Sequence, residues 1–102
     1  MKNVMIVDDE TLVRIGMQSI IDWESEGYRI VAVCADGREA LAAMAETVPD
    51  IVLTDIRMPG MDGFELIREA SRRYPHIQFI ILTSHEDFEY TRRAIRAGVK
   101  DY

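Results

Sequence analysis

The sequence predicts an α/β protein in which helices cover both faces of a parallel sheet. Two observations lead to this fold class. Four short apolar runs are continuous rather than alternating and rich in β-branched residues, which is typical of strands buried on both faces. Amphipathic stretches with helical spacing lie between these runs, and such an alternation implies a parallel sheet joined by right-handed crossovers.

The predicted strands share this continuous apolar character. They are Val4–Val7, Ile30–Cys34, Ile51–Leu53 and Phe79–Leu82. In open sheets of parallel strands, ligands bind beyond the carboxyl ends of the strands, at a point where the strand order reverses. The residues that follow each strand are therefore the first place to look for a functional site.

The predicted helices share the helical spacing of apolar residues. They are Glu10–Asp22, Arg38–Thr47, Phe64–Tyr74 and Asp87–Ala97. Asp62 is a plausible N-cap for the third helix, because Glu65 follows three residues later as in a capping box. Pro75 ends that helix, Asp36 is interpreted as a turn and cap before the second, and Gly98 suits the position after the fourth.

Size and composition indicate one globular domain. The chain has 102 residues, about the length of a single domain, with 48% hydrophobic and 29% charged residues. No apolar run approaches the ~20 residues of a membrane span, and the N-terminus lacks the features of a secretory signal. The single cysteine, Cys34, cannot form an internal disulfide and agrees with a cytoplasmic location.

The charge balance argues against nucleic-acid binding by this segment alone. The net charge is −6, whereas a protein that grips a phosphate backbone needs an excess of cations. The segment 92–100 is locally basic, and we interpret it as a solvated helix end whose cations complement the helix dipole rather than as a binding patch.

Acidic and hydroxyl side chains follow three of the predicted strands. Asp8 and Asp9 come directly after the first strand, Asp55 follows the third, and Thr83 follows the fourth. Carboxylates crowded at one edge repel each other, and a divalent cation relieves that repulsion. Because an all-oxygen site favours Mg²⁺ or a similar hard metal, we expect a magnesium site that leaves room for a phosphoryl oxygen.

The segment after Asp55 is specialised for a turn. It reads "IRMPGMDG", residues 56–63, and contains Pro59, Gly60 and Gly63. At eight residues it is longer than the usual strand-to-helix connection of about 2–6 residues, and its carbonyl groups are candidates for a metal ligand.

Taken together, these segments resemble the receiver domains of bacterial response regulators in two-component signalling. The matching segments are "VMIVDDE", "ADGREALAAM", "PDIVLTDIRMPGMDGFELI", "IILTS" and "RAGVKDY", spread over essentially the whole chain. The resemblance implies a flavodoxin-like (CheY-like) doubly wound sheet with strand order 2-1-3-4-(5). It also implies a domain that receives a phosphoryl group from the phosphohistidine of a sensor histidine kinase.

The resemblance assigns the metal ligands and the acceptor. Asp55 matches the phosphoacceptor. Asp9 and Asp55 would bind Mg²⁺ directly, Asp8 would act through a metal-bound water, and the backbone carbonyl of Arg57 would complete the protein ligands.

The resemblance also assigns the switch. Thr83 would move to hydrogen-bond the phosphoryl group, and Tyr102 matches the aromatic residue that changes rotamer with it. Arg57 and His85 occupy positions that tune the phosphoryl lifetime in this family, although both are equally well explained as exposed loop side chains.

A narrower similarity concerns the output. The segments "IIDWESEGYRIVAVCADGREAL" and "HEDFEYTRRAIRAGVKDY" look like receivers attached to AraC-type helix-turn-helix DNA-binding domains. The resemblance therefore implies DNA binding only through a further domain downstream, and it allows a homodimer.

The C-terminus departs from the family pattern. In that pattern a phosphoryl-binding Lys follows "DY" after two apolar residues, three residues beyond Tyr102, so Lys100 is in the wrong register. We therefore expect residues 1–102 to form a receiver that stops before the end of the fifth strand and the fifth helix. An unpaired sheet edge and a partly uncovered face would favour association or marginal stability.

Two other functions remain open from the sequence. A Mg²⁺-dependent aspartyl-phosphate phosphohydrolase would use the same acidic groups, but it favours a second acid two residues after Asp55, where Arg57 stands. The third alternative is an interaction module that is never phosphorylated. The presence of all four site residues, Asp8, Asp9, Asp55 and Thr83, argues against it.

Overall fold

A computed structural model describes residues 1–82 of the chain. The elements alternate along the chain as the sequence predicts. They are β1 Lys2–Val7, α1 Thr11–Ile20, β2 Tyr28–Cys34, α2 Gly37–Glu46, β3 Ile51–Asp55, α3 Gly63–Arg73 and β4 Gln78–Leu82. The predicted fourth helix and the fifth strand lie outside the described residues.

The four described strands form one parallel sheet with the order β2-β1-β3-β4. This confirms the predicted order over the strands that the structure describes. The pairing of β1 with β2 shifts by one residue, because Val4 pairs with Ile30 while Met5 pairs with Ala32. The reversal of strand order lies between β1 and β3, which pair in parallel, with Val7 opposite Thr54 at their carboxyl ends.

Within residues 1–82, the two faces of the sheet are covered unequally. Alternate residues of β1 point to opposite faces, so that Met5 and Val7 belong to one buried cluster and Val4 and Ile6 to another. The first cluster is large and includes the inward side chains of α2 and α3. Among the described residues, the second cluster holds only Val4, Ile6 and Leu53 as buried members, and α1 contributes to it the partly buried Met17.

Helix α1 presents much of its apolar surface outward. None of its residues is buried, and Leu12, Ile15 and Ile20 are 81%, 53% and 75% exposed. The helical spacing in the sequence identified the helix correctly, but spacing alone does not say which neighbour covers an apolar stripe. Within residues 1–82, only Val13 and Met17 lie partly buried among the apolar residues of α1.

Two helix starts confirm the predicted caps. The Asp62 side chain accepts a hydrogen bond from the Glu65 backbone N–H at 2.9 Å, and the Glu65 carboxylate accepts one from the Asp62 backbone N–H at 3.1 Å. This is a complete capping box. Asp36 caps α2 by accepting a hydrogen bond from the Glu39 backbone N–H at 2.8 Å.

Cys34 is buried at the end of β2, and its burial raises the pKa of the thiol to about 11. It therefore behaves as a small apolar core residue, as predicted. Across residues 1–82, the helices are too short and too polar to cross a membrane.

Candidate functional site

Three carboxylates meet at the carboxyl edge of the sheet. Asp8 follows β1, and its backbone N–H donates to the carbonyl of Cys34 at 3.0 Å, which extends the pairing of β1 with β2 by one residue. Asp55 ends β3, the other neighbour of β1. One carboxylate oxygen from each of Asp8, Asp9 and Asp55 lies within 4.8 Å of the others. The structure thus confirms that the parallel strands bring these three side chains together.

Each carboxylate has a different environment. Asp8 is 4% exposed, and its Oδ1 accepts a hydrogen bond from the Glu10 backbone N–H at 2.9 Å. Asp55 is half-buried, and its Oδ1 accepts from the backbone N–H of Ile56 at 2.7 Å. Asp9 is exposed. The site is therefore open on the side of Asp9 and closed behind Asp8.

The electrostatics of the site favour a cation. Burial is the main cause that raises the pKa of Asp55, and the negative charges of Asp8 and Asp9 raise it further. The backbone N–H groups of Ile56 and Arg57 oppose this by stabilising the carboxylate. A bound cation would add a positive charge that stabilises the Asp55 carboxylate, for which the protein itself supplies mainly backbone N–H donors.

Burial also raises the pKa of Asp8, and the negative charges of Asp9 and Glu10 act in the same direction. The Glu10 N–H and the positive charge of Arg14 lower it. The pKa values of Asp8 and Asp55 are therefore both raised, so the ionised form of each costs free energy in the folded state. A bound metal ion would offset that cost by supplying positive charge.

The loop after Asp55 is closed by backbone contacts. The Gly63 N–H donates to the carbonyl of Ile56 at 2.8 Å, so residues 56–63 return to the end of the strand from which they left. Gly60 has φ +76°, a conformation that glycine adopts without strain. The turn residues noted in the sequence thus bring the start of α3 against the end of β3, which carries Asp55.

The other predicted site residues fall into two groups. Arg57 lies in this loop, and its backbone N–H acts on the Asp55 carboxylate; the role of its carbonyl as a metal ligand stays a prediction. Thr83, His85 and Tyr102 lie outside the described residues.

One residue of the site was missed by sequence reasoning. Arg14, in the first turns of α1, donates from Nη1 to the backbone carbonyl of Asp8 at 2.6 Å. The signal available was its position six residues after Asp8, since helical side chains lean towards the helix N-terminus.

Comparison with known protein families shows which family the chain belongs to. A family model described as the response regulator receiver domain matches residues 4–102. The chain belongs to the response regulator receiver domain family. Its carboxylate cluster accordingly occupies the edge of a receiver sheet, and the fold is the flavodoxin-like, CheY-like fold that the sequence predicted.

The receiver resembles transcriptional regulators in sequence. It is 42% identical over 102 residues to the transcriptional regulatory protein YesN of Bacillus subtilis (strain 168), covering 100% of this chain and 28% of that protein. It is 37% identical to the transcriptional regulatory protein HptR of Staphylococcus aureus (strain NCTC 8325 / PS 47), covering 100% of this chain and 40% of that protein. The receiver thus spans less than half the length of these curated relatives.

Solved structures agree with this assignment. The REC domain of AraT, a response regulator from Geobacillus stearothermophilus, superposes with a TM-score of 0.92 at 37% identity, covering 99% of this chain and 78% of that chain. A DNA-binding response regulator of the LuxR family from Staphylococcus aureus superposes with a TM-score of 0.88 at 29% identity, covering 100% of this chain and 84% of that chain. The chain is a receiver domain of the kind found in two-component response regulators.

Proposed function

We propose that this receiver domain accepts a phosphoryl group on Asp55 in a Mg²⁺-dependent reaction and thereby switches a transcriptional output. The observation that carries the proposal is the juxtaposition of three carboxylates within 4.8 Å at the carboxyl edge of the sheet. It fits the receiver family, in which the chain acts as a signalling module and not as an enzyme with a separate substrate.

The donor set fits Mg²⁺. All the side-chain donors are carboxylate oxygens, and a small hard cation prefers oxygen ligands at about 2.0–2.1 Å. Two oxygens bound directly to one such ion lie at most about 4.2 Å apart, so a cluster within 4.8 Å accommodates two direct carboxylates and a third that acts through water. We assign the direct positions to Asp9 and Asp55 and the water-mediated position to Asp8, with the Arg57 carbonyl completing the protein ligands.

We assign Asp55 the role of nucleophile. Its Oδ1 accepts a hydrogen bond from the Ile56 backbone N–H at 2.7 Å, which holds the carboxylate in place at the open edge of the sheet. A new bond between phosphorus and an Asp55 carboxylate oxygen forms as the P–N bond of a phosphohistidine, or the P–O bond of acetyl phosphate, breaks and the leaving group keeps its electron pair. Bound Mg²⁺ would supply charge stabilisation for the phosphoryl oxygens.

The remaining parts of the signalling cycle are part of the same proposal. We assign Thr83 to the phosphoryl contact and Tyr102 to the aromatic switch. The phosphoryl donor is a sensor histidine kinase, and the receiver works in the cytoplasm. DNA is bound by an output domain further along the whole protein, in keeping with the names of the relatives, which are transcriptional regulatory proteins. Phosphorylation would shift the equilibrium between monomer and homodimer, and the output domain would control transcription accordingly.

Phosphate-affinity electrophoresis with acetyl phosphate and Mg²⁺ tests this function. We expect one retarded band that disappears with EDTA and in Asp55→Asn. Asp22→Asn, which changes an exposed carboxylate on the loop after α1, is the matched control and should keep the band. A band that survives Asp55→Asn would refute the proposal, and release of many equivalents of phosphate per chain would favour the phosphohydrolase instead.

A further inference from the structure

Helix α1 reaches back into the acidic site through one side chain. The guanidinium of Arg14 donates from Nη1 to the backbone carbonyl of Asp8 at 2.6 Å and from Nη2 to the hydroxyl of Thr11 at 3.1 Å. We propose that Arg14 is a positioning residue that sets the direction of Asp9 and thereby the affinity of the site for Mg²⁺. This inference rests on the proposed metal site.

The geometry explains why this contact acts on Asp9. The carbonyl of Asp8 belongs to the planar peptide unit that joins Asp8 to Asp9. A hydrogen bond that fixes this carbonyl therefore fixes the orientation of the whole plane and the position of the Asp9 Cα. Asp9 is the exposed member of the cluster, so its own surroundings do little to hold it.

The start of α1 needs such a brace. Its N-cap residue is Glu10, which makes no side-chain capping hydrogen bond. The Asp8 carboxylate holds the Glu10 N–H at 2.9 Å, and Arg14 holds the Asp8 carbonyl, so the turn from β1 to α1 is fixed from both sides of its backbone. Thr11 anchors the second branch of the guanidinium, which restricts the side chain to one orientation.

A competing effect of Arg14 has the opposite sign. Its positive charge lies close enough to Asp8 to stabilise the carboxylate, and a nearby cation repels Mg²⁺. If charge were its main influence, removing Arg14 would tighten metal binding. If positioning dominates, removal weakens binding, and lysine does not replace arginine because it cannot contact both acceptors through a planar fork.

The experiment measures Mg²⁺ affinity by calorimetry on the folded chain. The variants are Arg14→Met, Arg14→Lys and Thr11→Val, with Arg29→Met as a matched loss of one exposed cation on β2. We expect Arg14→Met and Arg14→Lys each to weaken binding by about tenfold, the lower range for residues that orient metal ligands. Thr11→Val should weaken it less, and Arg29→Met should leave it unchanged.

A second readout separates positioning from a general loss of stability. In metal-free ¹H–¹⁵N spectra, the amide resonances of Asp9 and Glu10 should move in both Arg14 variants, whereas those of β3 and α3 should stay in place. Resonances that move throughout the sheet would overturn the inference by showing a global structural role.

Wild-type and Asp9→Asn measurements separate the two proposals. If the wild type binds Mg²⁺ and Asp9→Asn does not, the metal site stands. Arg14 variants that then bind as well as the wild type or more tightly would overturn the inference alone. A wild type that does not bind Mg²⁺ would overturn the metal site and the role of Arg14 with it.

Discussion

Gly63, the first residue of α3, packs directly on the backbone of Asp55. A Cβ at position 63 would lie well inside the van der Waals distance of the Asp55 carbonyl oxygen and 2.9 Å from the Ile56 Cα. The neighbours are backbone atoms, which cannot swing away as a side chain can. The absence of a side chain at position 63 therefore allows α3 to begin against β3, the strand that carries Asp55.

Gly63→Ala should destabilise the domain. Relief of the contact requires a shift of β3 or of α3, and we expect a loss of about 1–3 kcal/mol in the free energy of unfolding, measured with urea. Gly16→Ala is the matched control, because a Cβ there meets nothing within 4 Å in the middle of α1. That variant should gain about 0.5–1 kcal/mol from helix propensity. Equal stability of Gly63→Ala and the wild type would contradict the packing described.

Asp8→Asn should stabilise the metal-free domain at neutral pH. Because burial raises the pKa of Asp8 above its ordinary value of 3.8, the folded state binds a proton more readily than the unfolded state. The contribution of Asp8 to the free energy of unfolding therefore falls as the pH rises from about 3.8 through the folded-state pKa. At neutral pH the folded wild type is still less stable by this amount. Asparagine has no charge to desolvate and keeps an oxygen for the Glu10 N–H.

Thermal unfolding in EDTA measures this effect from about pH 4, just above the ordinary pKa of 3.8, to about pH 8. The advantage of Asp8→Asn should be largest at the alkaline end and shrink towards pH 4. Glu24→Gln, which changes an exposed loop carboxylate, provides the comparison. An Asp8→Asn variant that is less stable than the wild type at neutral pH would contradict the electrostatic account.

Mg²⁺ should stabilise the folded chain. A ligand that binds only the folded state at one hundred times its dissociation constant adds about 2.7 kcal/mol to the free energy of unfolding. We expect that gain for the wild type and its loss in Asp9→Asn. Urea unfolding with Mg²⁺ or EDTA measures it, and an equal gain in Asp9→Asn would place the ion elsewhere.

The exposed face of α1 should cause self-association of the 102-residue chain. Leu12 and Ile15 are 81% and 53% exposed, and apolar side chains grouped on one helix face favour contact with another apolar surface. Replacement of both by lysine should reduce association in concentration-dependent light scattering.

The matched control is the double replacement of Gln18 and Ser19 by lysine, which adds the same charge to exposed positions of the same helix. Added lysines bring the net charge of −6 closer to zero, which by itself favours association. A decrease only in the Leu12 and Ile15 variant would therefore report apolar contact. A monomeric wild type at all concentrations would refute this prediction.

The sequence predicted the order of elements and the acidic cluster because both follow from local patterns and one topological rule. Continuous apolar runs identified β1 and β3, and parallel strands place their carboxyl ends at one edge, so Asp8 and Asp55 had to meet. The capping box at Asp62 was equally local.

The features that the sequence did not predict depend on contacts between elements. The helical spacing of α1 did not reveal that Leu12 and Ile15 lie outward, because spacing carries no information about the covering neighbour. The need for glycine at position 63 depends on how closely α3 approaches β3. The contact of Arg14 depends on the direction of one side chain, which could be anticipated only from the lean of helical side chains.

The proposal that Asp55 is the phosphoacceptor is tested most directly by locating the phosphoryl group on the chain. The chain is treated with acetyl phosphate and Mg²⁺, reduced with borohydride, which converts an aspartyl phosphate to homoserine, and mapped by peptide mass spectrometry. We expect homoserine at position 55, dependent on Mg²⁺ and absent without the phosphodonor. Homoserine at Asp8 or Asp9, or unmodified Asp55 under conditions in which Mg²⁺ binds, would contradict it.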